Sequence, residues 1–195
     1  MSVVRAFIAV DLAEDVRLRL SQVIERLQMN IGSPVVRWVP PENIHLTLKF
    51  LGDVSVKNLP LVKDALRQEA AGRKAFAISA GGLGAFPQPN RPRVLWVGVE
   101  APDELFALQR NIEAHMERLG YERDSRPFTA HLTLGRVSRS ASSSDVRKVA
   151  RVLQEHKLGF VGVSQVDEVH LFRSDLRPGG AVYTRLYSVP LEGLS

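Results

Sequence analysis

The tetrapeptide His-Leu-Thr-Leu occurs twice, at His45–Leu48 within IHLTLKFL (Ile44–Leu51) and at His131–Leu134 within TAHLTLGRV (Thr129–Val137). Both stretches alternate, the pattern of strands with one face in a core. Residues i and i+2 of a strand share a face, so His45 goes with Thr47 and Lys49, and His131 with Thr133 and Gly135. Leu46, Leu48 and Phe50, like Leu132 and Leu134, point the other way. Gly52 and Asp53 are expected to end the first of these strands.

Upstream, Arg5 to Leu12 (RAFIAVDL) is β-branched and apolar and reads as the first strand. Ala13-Glu14-Asp15 then supplies the acidic start of a helix, along which Val16, Leu20, Val23, Ile24 and Leu27 recur at helical spacing to about Met29. Asn30 to Pro41 is a loop around a short extended piece, Val35 to Val39. Downstream, Lys57 to Ala71 reads as a helix, Phe76 to Ala80 as a strand, and Gly81 to Pro92 (GGLGAFPQPNRP) as partly a loop, for its Gly, Pro and Asn content. Val94 to Glu100 is a buried strand. Pro102 to Leu119 is a helix with a stripe of Leu105, Leu108, Ile112, Met116 and Leu119, closed by Gly120. Ser138 to Ser144 is a polar loop, after which Asp145 is placed to cap a helix reaching about His156. Phe160 to Val163, Glu168 to Ser174 and Ala181 to Val189 are strands, with a turn at Arg177 to Gly180.

The chain repeats itself. Arg93 to Glu100 and its helix follow Arg5 to Leu12 and its helix by 88 residues, and the two tetrapeptides lie 86 residues apart. Gly84-Ala85-Phe86 and His170-Leu171-Phe172 share the second spacing. A near-constant offset implies two similar α+β lobes, with repeat units of roughly 5–88 and 93–174.

Composition bounds the chemistry. With 195 residues, 45% of them apolar, the chain can build a sizeable core and is expected to form one domain over 1–195. Its net charge of +5 favours polyanionic partners. The absence of cysteine excludes disulfides, thiol nucleophiles and Cys-containing metal sites, and fits a reducing, cytoplasmic location. No stretch is apolar for long enough to span a membrane, and the first strand has no signal-cleavage pattern.

If the two His-Leu-Thr-Leu strands meet at a pseudo-twofold axis, they present two imidazoles and two hydroxyls to one cleft. Imidazoles titrate near neutrality, so one can act as a base and the other as an acid, as an in-line displacement at phosphorus requires. The hydroxyls of Thr47 and Thr133 can donate to equatorial phosphoryl oxygens, and Arg136 or Lys49 can supply a cation. A single His-x-Thr in a strand is commonplace, but a purely structural tetrapeptide need not keep its polar face twice. Zinc is the competing use of paired histidines, yet it takes three or four ligands and no carboxylate joins either motif.

The other histidines read as structural: His115 on a helix surface, His156 at a helix end and His170 in a strand. Trp38, Phe86, Trp96 and Phe128 are aromatic neighbours of the expected cleft. Of these Trp96 is assigned to the core, and Phe86, in the Pro-rich loop, is a candidate to touch a base. Arg91, Arg93, Arg123 and Arg126 are candidates for a basic approach path.

At these residues the chain resembles the 2H phosphoesterase superfamily, and within it the RNA 2',3'-cyclic phosphodiesterases, LigT-like proteins first described as 2'-5' RNA ligases. The resemblance runs through RAFIAVDL, RWVPPENIHLTLKFLG (Arg37 to Gly52), GAFPQPNRPRVLWVGV (Gly84 to Val99), RPFTAHLTLGR (Arg126 to Arg136) and VHLFRSDLRPGG (Val169 to Gly180). It implies a bilobal, pseudo-twofold α+β fold, two antiparallel sheets facing a central cleft with helices on the outer faces. It further implies hydrolysis of an RNA or nucleoside 2',3'-cyclic phosphate to the 2'-phosphomonoester, without metal or other cofactor. His45 is then the proton donor and His131 the proton acceptor. Thr47, Thr133 and Arg136 bind the phosphate, with Lys49 and Phe86 as further substrate contacts. Ala130 stands where relatives often have proline. The alternatives are 2'-5' joining of tRNA halves by the reverse chemistry, another cyclic diester such as ADP-ribose 1'',2''-cyclic phosphate, and a non-enzymatic RNA-binding module. The last leaves the histidines without a task. RNA or a cyclic nucleotide is the expected partner, and the protein is expected to be a monomer.

Overall fold

Alternating and continuous apolar runs build nine strands among the described residues, and four amphipathic α-helices cover them. The computed structural model describes residues 2–32, 34–178 and 180–193. In chain order the elements are β1 (Val3–Val10), α1 (Glu14–Ile31), β2 (Val36–Trp38), β3 (Leu46–Ser55), α2 (Leu59–Ala70), β4 (Phe76–Gln88), β5 (Arg91–Glu100), α3 (Asp103–Arg118), β6 (His131–Val137), α4 (Ser143–Glu155), β7 (Phe160–Val166), β8 (Glu168–Arg177) and β9 (Gly180–Pro190). The strands run β7-β4-β5-β6-β3-β1-β8-β9, with β2 also paired to β6, and every pairing is antiparallel.

The expected two sheets are two halves of this one curled sheet. They meet at β3 and β6, where Leu46 pairs with Leu132. Outward from that join, β5 and β4 follow β6 as β1 and β8 follow β3. β4 therefore leaves the first half of the chain to join β5, and β8 leaves the second half to join β1. Helices α1 and α4 pack over β5 and β7, and α2 and α3 over β3, β8 and β9. The stripe Leu105, Leu108, Ile112 and Met116 of α3 is fully buried, each residue contributing about 1.5–3 kcal/mol of apolar transfer.

Three boundaries differ from the sequence expectations. Residues 81–92 are not a loop: β4 and β5 form a long hairpin, paired from Ser79↔Glu100 to Gln88↔Arg91 around Pro89-Asn90. Gly84 serves packing. A Cβ on Gly84 would lie 2.1 Å from the Trp96 ring, so only glycine lets that ring lie against β4. Secondly, Gly52 and Asp53 do not end β3. Ala9 faces Thr47 and Ile8 faces Lys49, which leaves Leu48 unpaired; Phe7 faces Phe50 and Ala6 faces Gly52, which leaves Leu51 unpaired. These two bulges carry the strand on to Ser55, with Gly52 at φ +66°. Thirdly, Asp145 is not the cap of α4. Ser142 is: its Oγ accepts from the Asp145 N–H at 3.1 Å, while Asp145 Oδ2 accepts from the Ser142 N–H at 2.9 Å, a reciprocal capping box. At the expected turn over 177–180, β8 ends and β9 begins with Arg177 paired to Gly180; Gly179 lies outside the described residues.

Candidate active site

The join of the two half-sheets sets the site. With Leu46 opposite Leu132 and both fully buried, the residues flanking that pair stand on the opposite face of the sheet. About that pair the antiparallel sense runs His45 toward the Thr133 end of β6 and Thr47 toward the His131 end. Beyond the join, β3 turns to β1 and β6 to β5, so the sheet opens there into a cleft. His45, Thr47, Thr133 and Arg136 line it together with Phe7, Val39, Asn43, Phe50 and Tyr183. His131 shares the Thr133 face, two residues back along β6.

Both imidazoles are fixed in the same way. His45 Nδ1 donates to the Asn43 carbonyl at 3.0 Å, and His131 Nδ1 to the Thr129 carbonyl at 2.7 Å. A carbonyl can only accept, so each Nδ1 carries hydrogen and Nε2 is left as the reactive nitrogen. An aromatic ring from the crossed-over strand backs each one: Phe172 lies 4.6 Å from His45 and Phe86 4.9 Å from His131, between ring centroids.

Charge breaks the likeness. His45 Nε2 lies 3.1 Å from Asp11 Oδ1, which also binds Arg17 Nη2 at 2.9 Å, while Arg185 bonds Asp11 Oδ2. Burial alone would push the Asp11 carboxyl up, but the hydrogen bond and charge of His45, with His170 and Arg17, hold it at about 2. Among the described residues no carboxylate pairs with His131. Burial pulls its imidazole below the ordinary range and Arg136 adds to this, against the opposing bond to Thr129. Burial raises the Tyr183 phenol, opposed by Arg136 and Arg5. Among the described residues no group of three or more His, Cys, Asp or Glu side chains is arranged to hold a metal ion.

The sequence matches the family described as LigT like Phosphoesterase twice, over residues 10–96 and 97–183. The chain belongs to the LigT-like phosphoesterases. A Methanothermobacter thermautotrophicus protein named RNA 2',3'-cyclic phosphodiesterase is 39% identical over 93% of this chain and 95% of its own. A protein of the same name from Archaeoglobus fulgidus is 35% identical over 93% and 97%. Among solved structures, the TT0787 protein of Thermus thermophilus superposes with a TM-score of 0.80 at 28% identity, covering 97% of this chain and 98% of that one. Escherichia coli LigT complexed with 3'-AMP has the same fold, with a TM-score of 0.78 at 24% identity over 97% and 99% of the two chains.

This LigT-like phosphoesterase is an enzyme of the 2H superfamily, and of the residues singled out from the sequence its fold gathers His45, Thr47, Thr133 and Arg136 in the cleft lining. Lys49 is not among those it brings to the cleft. The bulge at Leu48 turns the strand over, so Lys49 is 2% exposed, with Nζ 2.5 Å from Glu113 Oε1 and 2.6 Å from the Glu122 carbonyl. Phe50, expected in the core, is 60% exposed at the cleft instead. Phe86 belongs to β4, not to a loop, and packs edge-on against His131 behind the cleft lining. Trp96 is half-buried beside Phe86 and His131 rather than in the core. Arg123 and Arg126 line a separate cavity with Phe106 and Phe128, Arg91 and Arg93 are exposed on the β4–β5 hairpin, and His115 pairs with Glu69 of α2 at 3.0 Å. Sequence reasoning missed Asp11, Phe50, Phe172 and Tyr183. For Phe172 a signal existed, since it follows Phe86 by the 86 residues that separate the histidines.

Proposed function

We propose that this phosphoesterase hydrolyses RNA or nucleoside 2',3'-cyclic phosphates to the 2'-phosphomonoester, without a metal ion or nucleotide cofactor, in one domain built of two intertwined lobes. His131 Nε2 takes a proton from water as the water oxygen bonds phosphorus. The P–O3' bond breaks, its electron pair goes to O3', and O3' takes the proton of His45 Nε2, so the phosphate stays on O2'. Exchange with solvent then returns the proton from His131 to His45. Thr47 and Thr133 donate to the two non-bridging oxygens, and Arg136 balances their charge.

The observation that carries this reading is the opposed pair of His-x-Thr faces across the Leu46–Leu132 join, with both Nδ1 atoms already committed to carbonyls. The burial that favours a neutral His131 supports its role as base. The names of the two archaeal relatives agree with the substrate class. The test is incubation, with a chelator present, with RNA ending in a 2',3'-cyclic phosphate, followed by mapping of the product. A terminal 2'-phosphate is expected. A 3'-phosphate overturns the leaving-group assignment, and activity only after a metal is added overturns the two-histidine chemistry.

A further inference from the structure

Asp11 has no place in the proton transfers above, yet it is the most heavily engaged side chain beside the cleft. Its carboxylate receives groups from four elements: His45 at the entrance to β3, Arg17 of α1, Arg185 of β9 and His170 of β8, whose Nε2 is 3.6 Å from Oδ2. His170 is itself tied to Ser188 Oγ through Nδ1 at 2.8 Å. We propose that Asp11 is a positioning residue that holds His45 doubly protonated and so fixes which way the two-histidine site runs. This inference rests on the reading of His45 as the acid.

The argument is hydrogen-bond arithmetic. The Asn43 carbonyl at 3.0 Å from Nδ1 and the Asp11 carboxylate at 3.1 Å from Nε2 are both acceptors, and only an imidazolium has a hydrogen for each. A neutral His45 would set a lone pair against one of those oxygens. Arg17 and Arg185 keep the carboxylate ionised while the proton leaves for O3', so Asp11 does not itself take it. The groups facing His45 from the other elements are Phe7, Phe172 and Tyr183, with Arg136 across the cleft. Around His131 are Phe86, Trp96, Thr129 and Arg136. At the repeat spacings, Asp11 corresponds to Val99 and His170 to Gly84, so the corresponding positions around His131 carry neither member of the cluster.

The test has two arms. In the first, ¹⁵N NMR of the imidazoles at pH 7 should show hydrogen on both nitrogens of His45 in the wild type and in Asp11→Glu, but on Nδ1 alone in Asp11→Asn, with His131 in one tautomer throughout. In the second, Asp11→Asn should lower kcat about 10- to 100-fold on a nucleoside 2',3'-cyclic phosphate, part of the ~10²–10⁴ a positioned acid supplies. It should change turnover of a p-nitrophenyl phosphodiester less than about threefold, because that leaving group departs without a proton. A singly protonated wild-type His45, a doubly protonated His45 in Asp11→Asn, or equal losses on both substrates overturns the proposal. A wild-type enzyme inactive on both substrates overturns the function proposed above and leaves the NMR arm to decide on Asp11.

Discussion

Replacing Lys49 by Met separates a buried structural ion pair from a substrate contact. The ammonium is 2% exposed and bound at 2.5 Å by Glu113 Oε1 and at 2.6 Å by the Glu122 carbonyl. Its loss leaves Glu113, itself buried, with the Asp124 N–H at 2.9 Å and a long contact to Gln109 at 3.5 Å among the described residues. Breaking one side of such a pair costs about 3–5 kcal/mol, because an uncompensated charge stays in the core. For a chain of this length that lowers Tm by about 6–20 °C. Replacing Glu113 by Met as well removes the stranded charge, and the double variant should recover most of the loss. Thermal unfolding followed by circular dichroism measures the three variants. Assayed well below its own Tm, Lys49→Met should keep kcat and KM on a 2',3'-cyclic phosphate within about twofold of wild type, since a side chain turned away from the cleft gives no binding to the transition state. A tenfold rise in KM with little change in Tm would refute the reasoning and return Lys49 to the substrate.

His45→Ala and His131→Ala should each lower kcat at least ~100-fold, the scale of a lost proton-transfer group, with unfolding midpoints close to wild type. Near-normal turnover in either removes the two-histidine mechanism. Turnover against pH should fall on the acid side, where His131 gains a proton and ceases to be a base. Because burial lowers that imidazole, the acid limb should lie below the ordinary histidine value of 6.5, and an acid limb above it would contradict the assignment. Gly84→Ala should lose about 1–3 kcal/mol in urea unfolding and lower activity as well, because the new methyl meets the Trp96 ring that stands beside Phe86 and His131.

The polar face of the site is legible in the sequence because period-two alternation decides which side a strand residue takes, and His45, Thr47, His131 and Thr133 all sit close to the Leu46–Leu132 pair. The same rule fails two residues further on. A bulge adds one residue without any change in composition, so Lys49 and Phe50 exchange the sides that alternation assigns them. In GGLGAFPQPNRP the Gly and Pro content carries a turn signal, while the use of Gly84 lies in the Trp96 ring on the neighbouring strand. Asp11 and His170 are 159 residues apart and meet only because β8 crosses to pair with β1, placing His170 opposite Ala9. Read locally, Asp11 is a polar residue near the end of the first strand, just ahead of the acidic helix start.

The crossing of β4 and β8 also explains why each histidine is built from both halves of the chain. His45 and His131 enter from the two strands at the join, but the rings that back them, Phe172 and Phe86, arrive on strands that each half gives to the other. An imidazole placed in this way has its Nδ1 held by the carbonyl two residues before it, in the segment that leads into its strand, and its face held by the crossed-over strand. Its orientation therefore depends on the packing beneath the sheet, where Leu46, Leu132 and Leu134 are fully buried, as well as on the short segments that hold Asn43 and Thr129. A shift of one half-sheet against the other would carry each histidine with its own backing ring, so each imidazole keeps its support, while the spacing between the two rests on a pairing confined, among the described residues, to Leu46 and Leu132.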